Sequence, residues 1–124
     1  MKASTIIIGG GTFQPIRNHL SLCAPAFGKT ARFMNTLIKD SISIITKMGD
    51  PNSNLVTNED VEKFINTILL DSEIKCIVLN VAFCDFKSLP INNIASGFHS
   101  ERLSTSEGNI HIEITPTEKI IGKN

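Results

Sequence analysis

Apolar and polar positions alternate along this chain with two different periods. Thr5 to Ile8 is an unbroken apolar run that stops at three glycines, Gly9 to Gly11, and Thr12. Such a run reads as a strand buried on both faces. From Gly28 to Lys39, Ala31, Met34, Leu37 and Ile38 share one face at helical spacing, so a helix is expected there. Ser41 to Thr46 (SISIIT) alternates and then turns apolar, as a second strand would. Lys47 to Asn58 carries Gly49, Asp50, Pro51 and several Asn, the chemistry of a loop. Asn58 is placed to cap a second helix from Glu59 to Leu70, with the stripe Val61, Phe64, Ile65, Ile68 and Leu69. Glu73 to Leu79 (EIKCIVL) is a third strand. Lys87 to Ser106 shows no period and reads as a long, partly mobile loop that covers a ligand. Asn109 to Ile114 alternates strictly, as an edge strand does, and Pro116 opens a helix running toward Gly122.

Strand–helix–strand–helix–strand implies βαβ units with right-handed crossovers. The expected fold is therefore α/β: a Rossmann-like three-layer sandwich with a mostly parallel sheet. Residues 1–124 form a single domain in this reading, long enough to bury a core. A doubly wound sheet would continue with at least one more strand, so the C-terminus is expected to be shortened.

Composition narrows the partners. Lys plus Arg and Asp plus Glu are 12 each, with a pI near 6.8, which is not the basic footprint of a nucleic-acid binder. Seven Phe with no Trp or Tyr give few stacking platforms for single strands. No run is long enough for a membrane span, and three Ile before the glycines are too few for a signal-peptide core. Cys23, Cys76 and Cys84 are odd in number and scattered, which points to reduced packing cysteines in a cytoplasmic protein. His19, His99 and His111 lie far apart and form no metal-ligand pair, so no metal site is expected.

The candidate chemistry starts at the glycines. Glycine adopts positive φ and lets backbone approach a phosphate, and the N–H groups of such a loop face the anion. Gly10, Gly11 and Thr12 are either that cradle or a tight turn after a core strand. The spacing matches neither the dinucleotide fingerprint nor a P-loop. Lys29, at the start of the first helix, is either a ligand or a solvated lysine. Asp85 is either a ligand at a strand end or a loop-capping carboxylate. Arg102 sits in a Ser-rich loop, and His19 is in reach of a phosphate or simply on the surface.

Several segments, in order, resemble the phosphopantothenoylcysteine synthetase family. Gly10 to Pro15 (GGTFQP) resembles its G-G-T-x-E-P loop. A twelve-residue gap, Ile16 to Phe27, then leads to Gly28-Lys29, as the family's gap leads to its G-K pair. Val81 to Phe86 (VAFCDF) resembles A-A-V-x-D-[FY], and Glu101 to Ser104 falls where the family carries a lysine-containing segment. Ile110 to Ile121 resembles an edge strand followed by a T-P-D-I-type helix start. The resemblance implies a cytidine-triphosphate-dependent phosphopantothenate–cysteine ligase of coenzyme A biosynthesis. Such an enzyme activates the carboxylate of 4′-phosphopantothenate as an acyl-cytidylate, which cysteine's amine then displaces. It implies CTP with Mg as the cofactors of an active enzyme, and a homodimer. FMN belongs to the other half of the bifunctional flavoprotein. By position, Gly10, Gly11, Thr12, Gly28 and Lys29 would bind nucleotide phosphates and Asp85 would lie near the cytidine or its metal. Arg102 would replace the loop lysine, and Glu118, Lys119 and Ile120 would flank the base or ribose.

The departures fall on the catalytic residues. Where the family reads S-N-x-S-S-G-K-M-G, this chain reads Cys23-Ala24-Pro25-Ala26-Phe27-Gly28-Lys29-Thr30-Ala31. Ala24 stands where the family's Asn polarises the acyl-cytidylate, so a contact worth roughly 2.7–4 kcal/mol in other enzymes is missing. Two functions remain: a ligase-like domain with degenerate catalytic motifs, and a non-catalytic or re-purposed nucleotide-binding module on the same scaffold.

Overall fold

Three isoleucines in succession, Ile6, Ile7 and Ile8, anchor the strand β1 (Thr5–Arg17) in the computed structural model, which describes residues 3–119. Seven further elements carry most of the regular structure. They are β2 (Leu20–Ala24), α1 (Lys29–Leu37), β3 (Ser41–Ile45), α2 (Asn58–Ile68), β4 (Cys76–Ala82) and the paired short strands β5 (Phe86–Ser88) and β6 (Ile114–Pro116). The chain divides into two compact units. One holds residues 3–12 and 24–83, the other residues 13–23 and 84–119.

In the first unit β1 lies between β3 and β4, parallel to both. Thr5 to Gly9 pair with Ser41 to Ile45, and Thr5 to Gly11 pair with Cys76 to Ala82. Side chains alternate across a strand, so the apolar run must be covered on both faces. Ile6 and Ile8 pack with Val61 and Ile68 of α2, while Ile7 packs with Ala31 of α1 and Ile45 of β3. Burying each such side chain contributes about 1.5–3 kcal/mol. The α2 start is fixed by a capping box. The Thr57 side chain accepts from the Asp60 N–H, and the Asp60 carboxylate accepts from the Thr57 N–H at 3.0 Å. The cap is thus Thr57, one residue before the Asn58 expected from sequence.

The Rossmann-like three-layer sandwich with a mostly parallel sheet is not formed. The described residues hold two α-helices, and the sheets are mixed. Two features of the chain cause this. β1 does not end at its glycines; it runs on to Arg17 and returns as β2 through a two-residue turn at Asn18 and His19, a connection that only an antiparallel pair permits. Among the described residues no α-helix follows β4 to carry the chain into a further parallel strand. Instead β5 and β6 pair antiparallel, from Phe86↔Pro116 to Ser88↔Ile114.

The glycines make the long strand possible. A Cβ on Gly9 would overlap the Ala31 side chain, one on Gly10 would overlap the Thr46 hydroxyl, and one on Gly11 would overlap the Ala24 carbonyl. Gly10 has φ +108°, outside the range that side-chain-bearing residues favour. Close approach and backbone conformation therefore both select glycine here.

The second unit is built on the β1–β2 hairpin. Ile16, Cys84 and Ile91 are buried in it. Backbone bonds tie it together: Gly97 N–H to Ile16 O at 3.2 Å, Asn18 N–H to Ser100 O at 3.0 Å, and Thr117 N–H to Asp85 O at 2.8 Å. The segment expected as a lid, Lys87 to Ser106, holds part of β5, the isolated bridge Ile91↔Ile94 and the start of a short 3-10 turn, Thr105–Glu107. The strand expected at Asn109 to Ile114 begins only at Ile114, and Pro116 ends β6 rather than opening a helix. Thr117 to Lys119 are not helical, and the remainder of that expected helix lies outside the described residues. The third expected strand starts at Cys76, not Glu73. Of the three cysteines, Cys84 is buried while Cys23 and Cys76 are exposed, which corrects the expectation that they pack. No helix among the described residues is long and apolar enough to cross a membrane.

Candidate functional site

The residues expected to bind nucleotide separate into two groups. Gly10, Gly11 and Thr12 lie inside β1, where Gly10 pairs with Val81 and Gly11 with Ala82. The Gly11 N–H donates to Ala26 O at 2.7 Å, and the Thr12 hydroxyl donates to Ala82 O at 3.0 Å. A phosphate cradle needs N–H groups that face the ligand. Here the Gly11 donor is already taken and all three residues are buried, so the expected cradle is a stretch of core strand.

Gly28 is the N-cap of α1, and a Cβ there would meet the Ile45 side chain at 2.7 Å. Lys29 is the first residue of α1 and is exposed. Asp85, Arg102 and Lys119 belong to the second unit. The pocket expected among Gly10–Thr12, Gly28–Lys29 and Asp85 thus draws its residues from both units. Asp85 and Lys119 are exposed, and the Asp85 carbonyl accepts the Thr117 N–H. Among the described residues no group of three or more His, Cys, Asp or Glu is placed to hold a metal ion.

Arg102 lies instead on a cleft of about 400 Å³ within the second unit. That volume is in the range of small-molecule sites. The hairpin contributes Arg17, His19 and Leu20 to it, and the segment from Arg102 to Ile112 contributes the facing wall. Arg17, His19 and Arg102 are its charged or titratable groups, and no Asp or Glu lines it. Ser104 and Thr105 add hydroxyls, while Leu20, Leu103, Ile110 and Ile112 add apolar surface.

Arg17 is the unusual member. It is 1% exposed. Its guanidinium donates to Ile16 O at 2.8 Å and to Ile91 O at 3.2 Å. No carboxylate among the described residues pairs with it. A guanidinium has five N–H donors, so two carbonyl bonds leave most of its donor capacity unused and its charge without a counter-ion. Burying an unpaired charge costs several kcal/mol after relaxation. An anion in the cleft would supply the missing partner. The guanidinium fork suits the paired oxygens of a phosphate or carboxylate, Arg102 adds positive charge on the same cleft, and His19 adds an imidazole that can donate a hydrogen bond.

Sequence reasoning missed Arg17. Pro15 two residues earlier, after three glycines, disguised the segment as a loop. The available signal was Arg17 following Ile16 in register with an apolar strand, a charge at a position that a continuous strand buries. His19 and Arg102 were visible as isolated polar side chains, but 83 positions separate them in sequence.

No family model matches the chain, and no curated protein matches it.

Proposed function

We propose that this chain is a re-purposed binding module for a phosphate-bearing small molecule, held in the cleft around Arg17, and not a working ligase. The observation that carries the proposal is the buried Arg17 guanidinium without a carboxylate partner, on a cleft whose other ionisable groups are Arg102 and His19. The apolar side chains of the cleft favour a ligand with an organic body over a bare ion. The family resemblance supplies the candidates: a cytidine nucleotide and 4′-phosphopantothenate. Two features argue against acyl transfer. Ala24 offers no side-chain donor to a developing oxyanion, and the Gly10–Thr12 stretch is committed to the β1 ladder.

The test is thermal stability with CTP, CMP, 4′-phosphopantothenate, inorganic phosphate and uncharged cytidine. A ligand at about 100 times its Kd stabilises the folded state by about 2.7 kcal/mol. Phosphate-bearing organic ligands are expected to raise Tm, cytidine is not, and Arg17→Met is expected to abolish the shift. Equal shifts in wild type and Arg17→Met would remove the cleft as the site. Pyrophosphate release from CTP with magnesium, 4′-phosphopantothenate and cysteine, near one turnover per second or faster, would show a working ligase and overturn the proposal.

A further inference from the structure

The exposed side of α1 is apolar and cationic at once. Its inward side is Ala31, with Met34 packed beside it against Ile7 and Ile45. Residues three and four apart share a helix face, so Lys29, Phe33 and Leu37 stack along the other side. Phe33 is 63% exposed, and Leu37, expected from the sequence on the inner face, is 70% exposed. Phe27, just before the helix, is 61% exposed. Arg32 ties it to α1: the guanidinium donates to Phe27 O at 2.8 Å and to Gly49 O at 2.7 Å. Residues 27–39 hold three cations, Lys29, Arg32 and Lys39, and no Asp or Glu; the next carboxylate, Asp40, lies past the end of the helix. All three cations are exposed, and none forms an ion pair with another described residue.

We propose that this face of α1 docks on a membrane surface bearing anionic lipid. Phe27, Phe33 and Leu37 enter the interface, while Lys29, Arg32 and Lys39 meet the headgroups. Charge complementarity carries the choice of occupant. Three cations without a counter-ion border an apolar ridge, the arrangement of helices that lie in the plane of a bilayer interface. The three apolar side chains project, each more exposed than buried. A fluid bilayer moulds around such projections, whereas a folded partner would need a pocket for each. The helix is about 13 Å long, far short of a bilayer core, so it lies on the surface and does not cross it. Attachment of this kind grows with the apolar area buried and with attraction to anionic lipid, so it is reversible and sensitive to salt. The face belongs to the first unit and the Arg17 cleft to the second, so docking and ligand binding are tested separately.

The test is co-sedimentation with vesicles of phosphatidylcholine, alone or mixed roughly two to one with phosphatidylserine. The chain contains no Trp, so Phe33→Trp gives a single emission reporter on the ridge, and Leu70→Trp, at a position 87% exposed just after α2, gives a control. Wild type is expected to bind the anionic vesicles, to leave them as salt rises, and to bind phosphatidylcholine alone about tenfold or more weakly. Phe33→Trp emission is expected to shift to the blue on anionic vesicles, and Leu70→Trp emission to stay unmoved. Lys29→Gln/Lys39→Gln is expected to weaken binding about tenfold or more, at about fivefold per cation. Phe33→Gln/Leu37→Gln is expected to weaken it about tenfold or more through lost apolar burial. Arg32 is left in place because it also holds the Phe27 and Gly49 carbonyls. The substituted side chains are exposed, and circular dichroism checks that the variants fold. A wild type that does not sediment with anionic vesicles overturns the proposal. So does binding equal in all variants, or a blue shift at Leu70→Trp and not at Phe33→Trp. A Phe33→Trp shift with an acidic amphipathic peptide but not with vesicles overturns it in favour of a protein partner.

Discussion

Replacing Gly10 with alanine separates the two meanings of the glycine run. If Gly10 serves a phosphate, Gly10→Ala harms binding and leaves the fold largely intact. In the structure it harms the fold. The residue sits at φ +108°, where an L side chain is strained by about 1–3 kcal/mol. The added methyl would overlap the Thr46 hydroxyl and lie 3.1 Å from both the Thr46 Cβ and its backbone N. Thr46 is fully buried, and its N–H donates to Gly9 O at 2.9 Å, so it cannot retreat without disturbing the end of the β1–β3 ladder. Overpacking of this kind costs about 1–3 kcal/mol. Together the loss is about 2–6 kcal/mol, a large part of the roughly 5–15 kcal/mol that stabilises a domain. At about 4–8 °C per kcal/mol, Tm falls by at least about 8 °C. Gly108→Ala is the control. Gly108 also has positive φ, at +79°, but nothing lies within 4 Å of its added Cβ, so it carries the strain without the collision. The assay is urea and thermal unfolding followed by circular dichroism. Pairing Gly10→Ala with Thr46→Ala should return part of the loss, because the overlapping hydroxyl is gone. A Gly10→Ala protein within 0.5 kcal/mol of wild type that no longer binds nucleotide would refute the core-strand reading.

The other expectations are smaller in scale. Thr46→Val should raise stability by about 1 kcal/mol in urea unfolding, since the Thr46 hydroxyl is buried without a hydrogen-bond partner. Thr57→Ala should cost about 1 kcal/mol by removing half of the α2 capping box, and a matching loss for Asp60→Ala would show that the box acts as a unit. Arg17→Met should leave Tm unchanged or raised in ligand-free protein, because an unpaired buried charge gives way to an apolar side chain of similar length. A fall of several degrees would mean that the bonds to Ile16 and Ile91 outweigh the burial of charge.

Local signals were legible and distant ones were not. The strand at Ile6–Ile8 and the α2 stripe of Val61, Phe64, Ile65 and Ile68 show in the sequence because period and burial coincide within a few residues. Gly9, Gly10 and Gly11 were misleading because the reason for them lies elsewhere in the chain, at Ala31, Thr46 and Ala24. A loop and a crowded strand both call for glycine, and the local sequence does not say which. Pro15 strengthened the wrong reading, since proline usually marks a strand end or edge. The Asn109–Ile114 alternation was visible, but the described chain leaves residues 109–113 unpaired. Arg17 became informative only beside Ile91, 74 residues away, and on the same cleft as Arg102.

The most direct test of the proposed Arg17 cleft as a binding site is a titration of isotope-labelled protein with CMP, read residue by residue from amide chemical shifts. The account expects the largest and saturable shifts at His19, Leu20, Leu103, Thr105 and Gly108, which line or flank the Arg17 cleft, with Gly10, Gly11, Thr12 and Lys29 nearly unmoved. Saturable shifts centred on Gly10–Thr12 and Lys29, with the cleft silent, would contradict it and return the site to the glycine strand.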